Sequence, residues 1–148
     1  MSLKAQSIQH KKFAPTLVAS TRFNLKKREE MRAALDELTQ AIPSAHITGP
    51  AFCIFQFISS VSEGFDVEVG FPVSQAVQTD ALKTRTLPAI KVLALVHQGP
   101  VENLRESYGK LYSYAAEHGL ISDEFSREIY LDADNPTGNK TELHFVLH

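Results

Sequence analysis

"PAIKVLALVHQGPVENLRESYGKLYSYAAEHG" occupies residues 88–119, and the period of its apolar residues changes part-way along. Residues 88–97 are mostly apolar and read as a strand. "QGP" (98–100) turns the chain. Pro100 suits a first helical position, because the N–H it lacks would find no partner there. Beyond it, Leu104, Tyr108, Leu111 and Ala115 fall on one stripe at helical spacing. Gly119 follows as a C′ residue, where a left-handed backbone carries no Cβ penalty. A strand, a tight turn and an amphipathic helix predict a helix laid against a sheet.

The flanking residues extend this unit. "SREIYLD" (126–132) reads as a strand, "ADNPTGN" (133–139) as a turn and "KTELHFVL" (140–147) as a closing strand. The same order stands earlier in the chain. "TLVASTRF" (16–23) is a strand, and 24–42 is a helix with Met31, Ala34, Leu35, Leu38 and Ile42 on one stripe. "PSAHITGP" (43–50) breaks it, and "AFCIFQFIS" (51–59) and "DVEVGFPV" (66–73) are two more strands. The chain therefore predicts one α+β domain of two β-α-β-β repeats, about residues 8–76 and 84–148, with antiparallel sheets. The halves match locally. Aligned, they place Glu68 with Glu142, Phe71 with Phe145, Phe55 with Tyr130, and Cys53 with Glu128. Duplication of this kind builds a pseudo-two-fold domain with a cleft between the repeats. "KTRT" (83–86) reads as a solvated linker between them.

Composition narrows the function. A chain of 148 residues suits one domain with its own core. A net charge of -2 offers no basic patch for neutralising phosphates, so direct nucleic-acid contact is not expected. No apolar run approaches the roughly 20 residues of a membrane span. "MSLKAQSIQHKKF" (1–13) lacks the apolar core of a signal peptide. With one cysteine, Cys53, no internal disulfide can form, and a cytoplasmic location is expected. Cys53, inside "AFCIF", reads as a small buried apolar residue. Neither a metal nor a cofactor is expected. The one spaced histidine pair, His144 and His148, lies at a strand end, and the chain has no phosphate-binding glycine loop or nucleophile elbow.

The candidate site centres on "FSREIYLD" (125–132). Alternation puts Ser126, Glu128, Tyr130 and Asp132 on one face, and Phe125, Arg127, Ile129 and Leu131 on the other. If the second set packs on the helices, the first faces water or a cleft. The matching strand offers Cys53, Phe55 and Phe57 on the corresponding face, a costly set to expose. Together they would form an aromatic floor holding one carboxylate, a surface suited to a flat cation. Tyr108 and Tyr112 share a helix face and are candidates for the rim, with core packing as the competing reading. Phe23 ends the first strand and matches His97 in the second. Both are placed at the cleft mouth, against an equally open structural role. The competing reading of Glu128 is a solvated strand face.

The run with His97, Gly99 and Pro100, the helix after it, and the pair Glu128 and Tyr130 resemble the GyrI-like small-molecule-binding domain family. That family also supplies the effector-binding domains of AraC-type and MerR-type multidrug regulators. The resemblance covers nearly the whole chain, although Val101 stands where the family often has an aromatic residue. It implies two β-α-β-β repeats side by side, a cleft taking bulky aromatic or cationic compounds, and an acidic residue in that cleft, here Glu128 beside Tyr130. Three functions follow from it. The first is a stand-alone binding module that reports or sequesters a compound, with a regulator as protein partner. The second is a hydrolase of reactive electrophiles with Glu128 and Tyr130 catalytic. The third is a gyrase-inhibitor-like interaction module with gyrase as partner.

Overall fold

A computed structural model of the chain describes residues 8–25, 30–56, 65–77, 79, 82–99, 103–131 and 140–148. The elements run β1 (Gln9–Phe13), β2 (Thr16–Leu25), α1 (Glu30–Ala41), β3 (Phe52–Gln56), β4 (Phe65–Pro72), β5 (Lys83–Leu87), β6 (Ile90–Gln98), α2 (Leu104–Glu117), β7 (Ser122–Tyr130) and β8 (Lys140–Leu147). Each expected helix and strand is present over its described residues, except that Asn24 and Leu25, read as the start of the first helix, end β2 instead, and β1 is a strand that the sequence reading did not include. Ala34, Leu35, Leu38 and Ile42 are buried beneath α1, and Leu104, Leu111 and Ala115 beneath α2. The side chain of Met31 lies outside the described residues. Gly119 has a φ of 66°, as its place after α2 requires.

Two expectations are corrected. "KTRT" is not a linker: it forms most of the edge strand β5, pairing Thr16↔Leu87 to Ser20↔Lys83 against β2. The polar side chains that suggested a linker are those of an edge strand with water beside it. The strands also join in one antiparallel sheet, ordered β1-β6-β8-β7-β3-β4-β2-β5, instead of a sheet for each half. β3 and β7 pair directly at its centre, with Cys53 opposite Glu128.

Exchanging β1–β4 for β5–β8 leaves this order unchanged when it is read from the other edge. The registers follow suit. Val18↔Pro72 between β2 and β4 has its counterpart in Val92↔Val146 between β6 and β8. β1 pairs with β6 across Phe13↔Ile90, as β5 pairs with β2. Each half thus lends its first strand to the edge of the other.

Chain length then bends the sheet. Only Ala14 and Pro15 join β1 to β2, and only Pro88 and Ala89 join β5 to β6. Three Cα–Cα steps reach about 11 Å at most. Six strand spacings of a flat sheet would need about 29 Å. The sheet must curl until its two ends meet. Leu87 from one edge and Phe13 from the other accordingly line one cavity with Arg127 of central β7. Among the described residues, that concave face carries no helix. Both helices lie on the convex face, α1 over a core that includes Leu25, Cys53, Val67 and Val69, and α2 over Leu93, Leu95, Leu143 and Phe145.

The curl makes β2 and β4 approach closely at Gly70. A Cβ there would meet the Ala19 carbonyl oxygen at 2.5 Å and Ser20 Cβ at 2.7 Å. Gly109, exposed within α2, has nothing within 4 Å of its Cβ position. Gly70→Ala is expected to lower stability by about 1–3 kcal/mol through overpacking. Gly109→Ala should raise it by about 0.5–1 kcal/mol through helix propensity. Urea unfolding of the two variants checks the opposite signs.

Candidate functional site

The two faces of β7 hold different chemistry. Ser126, Glu128 and Tyr130 point to the convex face, under the helices, and Phe125, Arg127 and Ile129 to the concave face. This reverses the condition set from the sequence, in which the phenylalanine side packed on the helices. Both faces of β7 are partly apolar, so alternation separates them without saying which one the helices cover.

Glu128 is 1% exposed. Its Oε1 accepts a hydrogen bond from the Tyr130 hydroxyl at 2.9 Å, and its Oε2 accepts one from the Tyr108 hydroxyl at 2.5 Å. Tyr130 reaches it from two residues along the same strand, and Tyr108 reaches down from α2. A carboxylate so deeply buried needs such donors, since desolvation penalises its charge. Tyr112 stacks on Tyr108 with ring centroids 6.0 Å apart, and its edge meets Phe145. Burial and the nearby Glu128 charge push the Tyr112 pKa up.

Strand registers place the other expected residues. The rung through Glu128 contains Cys53, Val69 and Leu143. The next contains Phe23, Val67, Phe55, Ser126 and Phe145 on the same face. Phe23 and Phe55 are half-buried against the α1 core. On the far side, Tyr130, Thr141 and His97 share a rung. His97 is buried and its Nδ1 lies 2.7 Å from Ser107 Oγ of α2. Glu128, Tyr130, Tyr108 and Tyr112 are therefore brought together, with Phe55 beside them, while Phe23 and His97 sit towards the α1 and α2 packing. Phe57 lies outside the described residues. Cys53 is fully buried next to Glu128. Tyr130 also lines a cavity of about 490 Å³ beneath α1.

The concave face holds a second polar set that the sequence reading left unassigned. Glu142 Oε1 receives Lys11 Nζ at 3.1 Å, and its Oε2 receives His144 Nε2 at 2.6 Å. His144 Nδ1 in turn accepts a bond from Arg127 Nε at 3.2 Å. The imidazole is thus the Nε2–H tautomer, donating on one side and accepting on the other. In the other half, Glu68 receives Arg85 through Nε at 2.9 Å and Nη2 at 2.6 Å, and Ser20 Oγ at 2.6 Å. Lys11 and Arg85 lie on the exchanged edge strands β1 and β5, so each ion pair ties a lent strand to its host half. The only hint in the sequence was the alignment of Glu68 with Glu142. Among the described residues, no group of three or more His, Cys, Asp or Glu side chains could hold a metal ion. Among them too, no helix is long and apolar enough to cross a membrane.

A family model for the GyrI-like small molecule binding domain matches residues 7–145. The chain belongs to that family. Among solved structures, the EcmrR C-terminal domain superposes with a TM-score of 0.81 at 22% identity, covering 97% of this chain and 98% of that one. The same score and identity are found in the cryo-EM structure of an EcmrR–DNA complex, where the match covers 97% of this chain and spans 58% of the longer protein. The structure of SAV2435 bound to tetraphenylphosphonium matches with a TM-score of 0.66 at 11% identity, covering 96% of this chain and 94% of that one. A hydrolase from Listeria innocua gives 0.65 and 11%, over 97% and 92%. No curated protein matches the chain.

Burial of the concave network makes stability depend on pH. Desolvation lowers the His144 pKa from 6.5, against the pull of Glu142. Its bond from His144, chiefly, and that from Lys11 hold Glu142 at about 2. The unfolded chain therefore binds protons that the folded chain refuses, and stability must fall as pH falls. The midpoint of urea unfolding is expected to decline as pH drops below 6.5, and again below 4.5. His144→Leu should flatten the first decline and also shrink the second, because it removes the chief bond that holds the Glu142 pKa down. An unchanged slope between pH 7 and 5.5 would show that His144 does not control it.

Proposed function

We propose that this GyrI-like domain binds bulky aromatic cations over Glu128, in the cleft between its two related halves. The observation that carries the reading is a carboxylate buried at 1% exposure and flanked by the phenol rings of Tyr108 and Tyr130. Such a site offers a cation both a charge partner and aromatic faces. The palindromic strand order supports two related halves, with Glu128 and Cys53 at their junction. The fold neighbour SAV2435, crystallised with tetraphenylphosphonium, supports the ligand class. The EcmrR neighbour supports a role as the sensing part of a regulatory system. Because both oxygens of Glu128 already accept phenol protons, a cation must draw Tyr108 or Tyr130 aside to meet the charge. That occupancy favours binding over the use of Glu128 as a base for hydrolysis.

Calorimetric titration with tetraphenylphosphonium and with neutral triphenylphosphine oxide tests the reading. Glu128→Gln preserves the side-chain shape and removes its charge. It should weaken the cation by about 1–3 kcal/mol, the range for a hydrogen-bonded charge partner, and the neutral compound by much less. Equal losses for both ligands would remove Glu128 as the selector.

A further inference from the structure

The concave face contains a buried cation whose hydrogen-bonding capacity the fold does not use up. Arg127 is 7% exposed. Its Nε is committed to His144, and its guanidinium carbon lies 5.1 Å from the centre of the Phe13 ring. Among the described residues, no carboxylate lies within ion-pair distance of it. The two carboxylates of this face are taken elsewhere: Glu142 holds Lys11 and His144, and Glu68 holds Arg85 and Ser20. Burying a guanidinium without a counter-ion is costly, and Arg127 shows the strain of it in a pKa lowered by desolvation to about 10.

Arg127 borders two adjoining cavities, of about 260 and 470 Å³, and Leu87 is their other common wall. The larger is of a size that takes a small organic ligand. Phe13, Phe52, Val18 and Ile129 supply its apolar surface, and Lys11, Lys12 and Arg127 outnumber its single carboxylate, Glu142. Lys12 is exposed at the rim, where it adds positive potential without filling the site. The His144 bond and the Phe13 ring fix the guanidinium plane, so its remaining N–H groups are oriented before any ligand arrives. A planar fork held in this way matches a carboxylate in two-point contact.

We propose that the concave, helix-free face binds an aromatic carboxylate, paired through its two oxygens with the guanidinium of Arg127 and seated by its ring between Phe13, Phe52 and Leu87. This site lies on the opposite side of the sheet from Glu128 and takes a ligand of opposite charge, so it stands or falls apart from the cation site.

The test uses 2-naphthoate and its neutral counterpart 2-naphthamide on the full chain. In the wild-type protein, 2-naphthoate should shift the Arg127 Nε–H resonance in a nitrogen-15 correlation spectrum, and 2-naphthamide should leave it nearly in place. By calorimetry, Arg127→Gln should weaken 2-naphthoate at least about tenfold, as expected for losing a charge-assisted pair, and 2-naphthamide less than about threefold. Arg127→Lys should recover part of the loss, because it restores charge without the two-point fork. The proposal is overturned if the wild-type Arg127 resonance does not respond to millimolar 2-naphthoate. It is equally overturned if a folded Arg127→Gln protein binds 2-naphthoate as before, or loses both ligands alike. Should Arg127→Gln fail to fold, the wild-type spectrum alone decides.

Discussion

Two connections of two residues each govern the architecture. Ala14-Pro15 and Pro88-Ala89 must carry the chain between strands six positions apart in the sheet. So short a link cannot cross a flat sheet, and the sheet therefore curls into a half-barrel whose unpaired edges flank one cavity. Much else follows from that curl. It creates a concave and a convex face, brings Leu87 and Phe13 to one cavity, and presses β2 against β4 where only Gly70 fits. It also leaves each half's first strand paired to the other half. The ion pairs Lys11–Glu142 and Arg85–Glu68 then fasten both exchanged edges in the same way.

The curled sheet also separates two charged centres by the thickness of one strand. Neighbouring residues of β7, Arg127 and Glu128, point to opposite faces, as successive strand residues must. Each is buried, and each is oriented by partners on its own side: His144 and Phe13 for the guanidinium, Tyr108 and Tyr130 for the carboxylate. The two are handled differently. The carboxylate has a phenol donor on each oxygen. The guanidinium has one N–H committed to His144 and lies over the Phe13 ring, and Arg127 lines two cavities.

The halves are not chemically equal where the charges lie. The position that holds His144 in β8 corresponds to Gly70 in β4, and Arg127 in β7 corresponds to Phe52 in β3. Phe52 Cζ lies 3.0 Å from the Cβ position of Gly70, so in the first half an aromatic ring occupies the room that the His144 imidazole takes in the second. One half is thus packed with hydrocarbon and the other with a hydrogen-bonded chain from Arg127 through His144 to Glu142. That asymmetry gives the second half a buried histidine, His144, that the first half lacks, and places Arg127 on a central strand of the sheet.

The sequence by itself determined the two helices and six of the strands, but not the edge strands β1 and β5. Periods of two and of 3.6 are imposed by backbone geometry, so the stripes Ala34-Leu35-Leu38-Ile42 and Leu104-Leu111-Ala115, and the alternation of Val67, Val69 and Phe71, could be read without a partner in view. The proximity of Glu128 to Tyr130 was legible for the same reason, and Cys53 was legible as a core residue. Only the tertiary structure decided which face of β7 the helices cover. Phe125 and Ile129 on one side and Tyr130 on the other are all apolar enough to be buried, and alternation carries no sign. It alone decided that Lys83–Leu87 is a strand, because an edge strand needs one partner and little hydrophobic pattern of its own. It alone set Arg127 opposite His144 across β7 and β8, and brought Lys11 to Glu142, a meeting that depends on the exchange of β1 onto β6. That exchange is fixed by where the two short connections allow the sheet to close, and no local pattern records it.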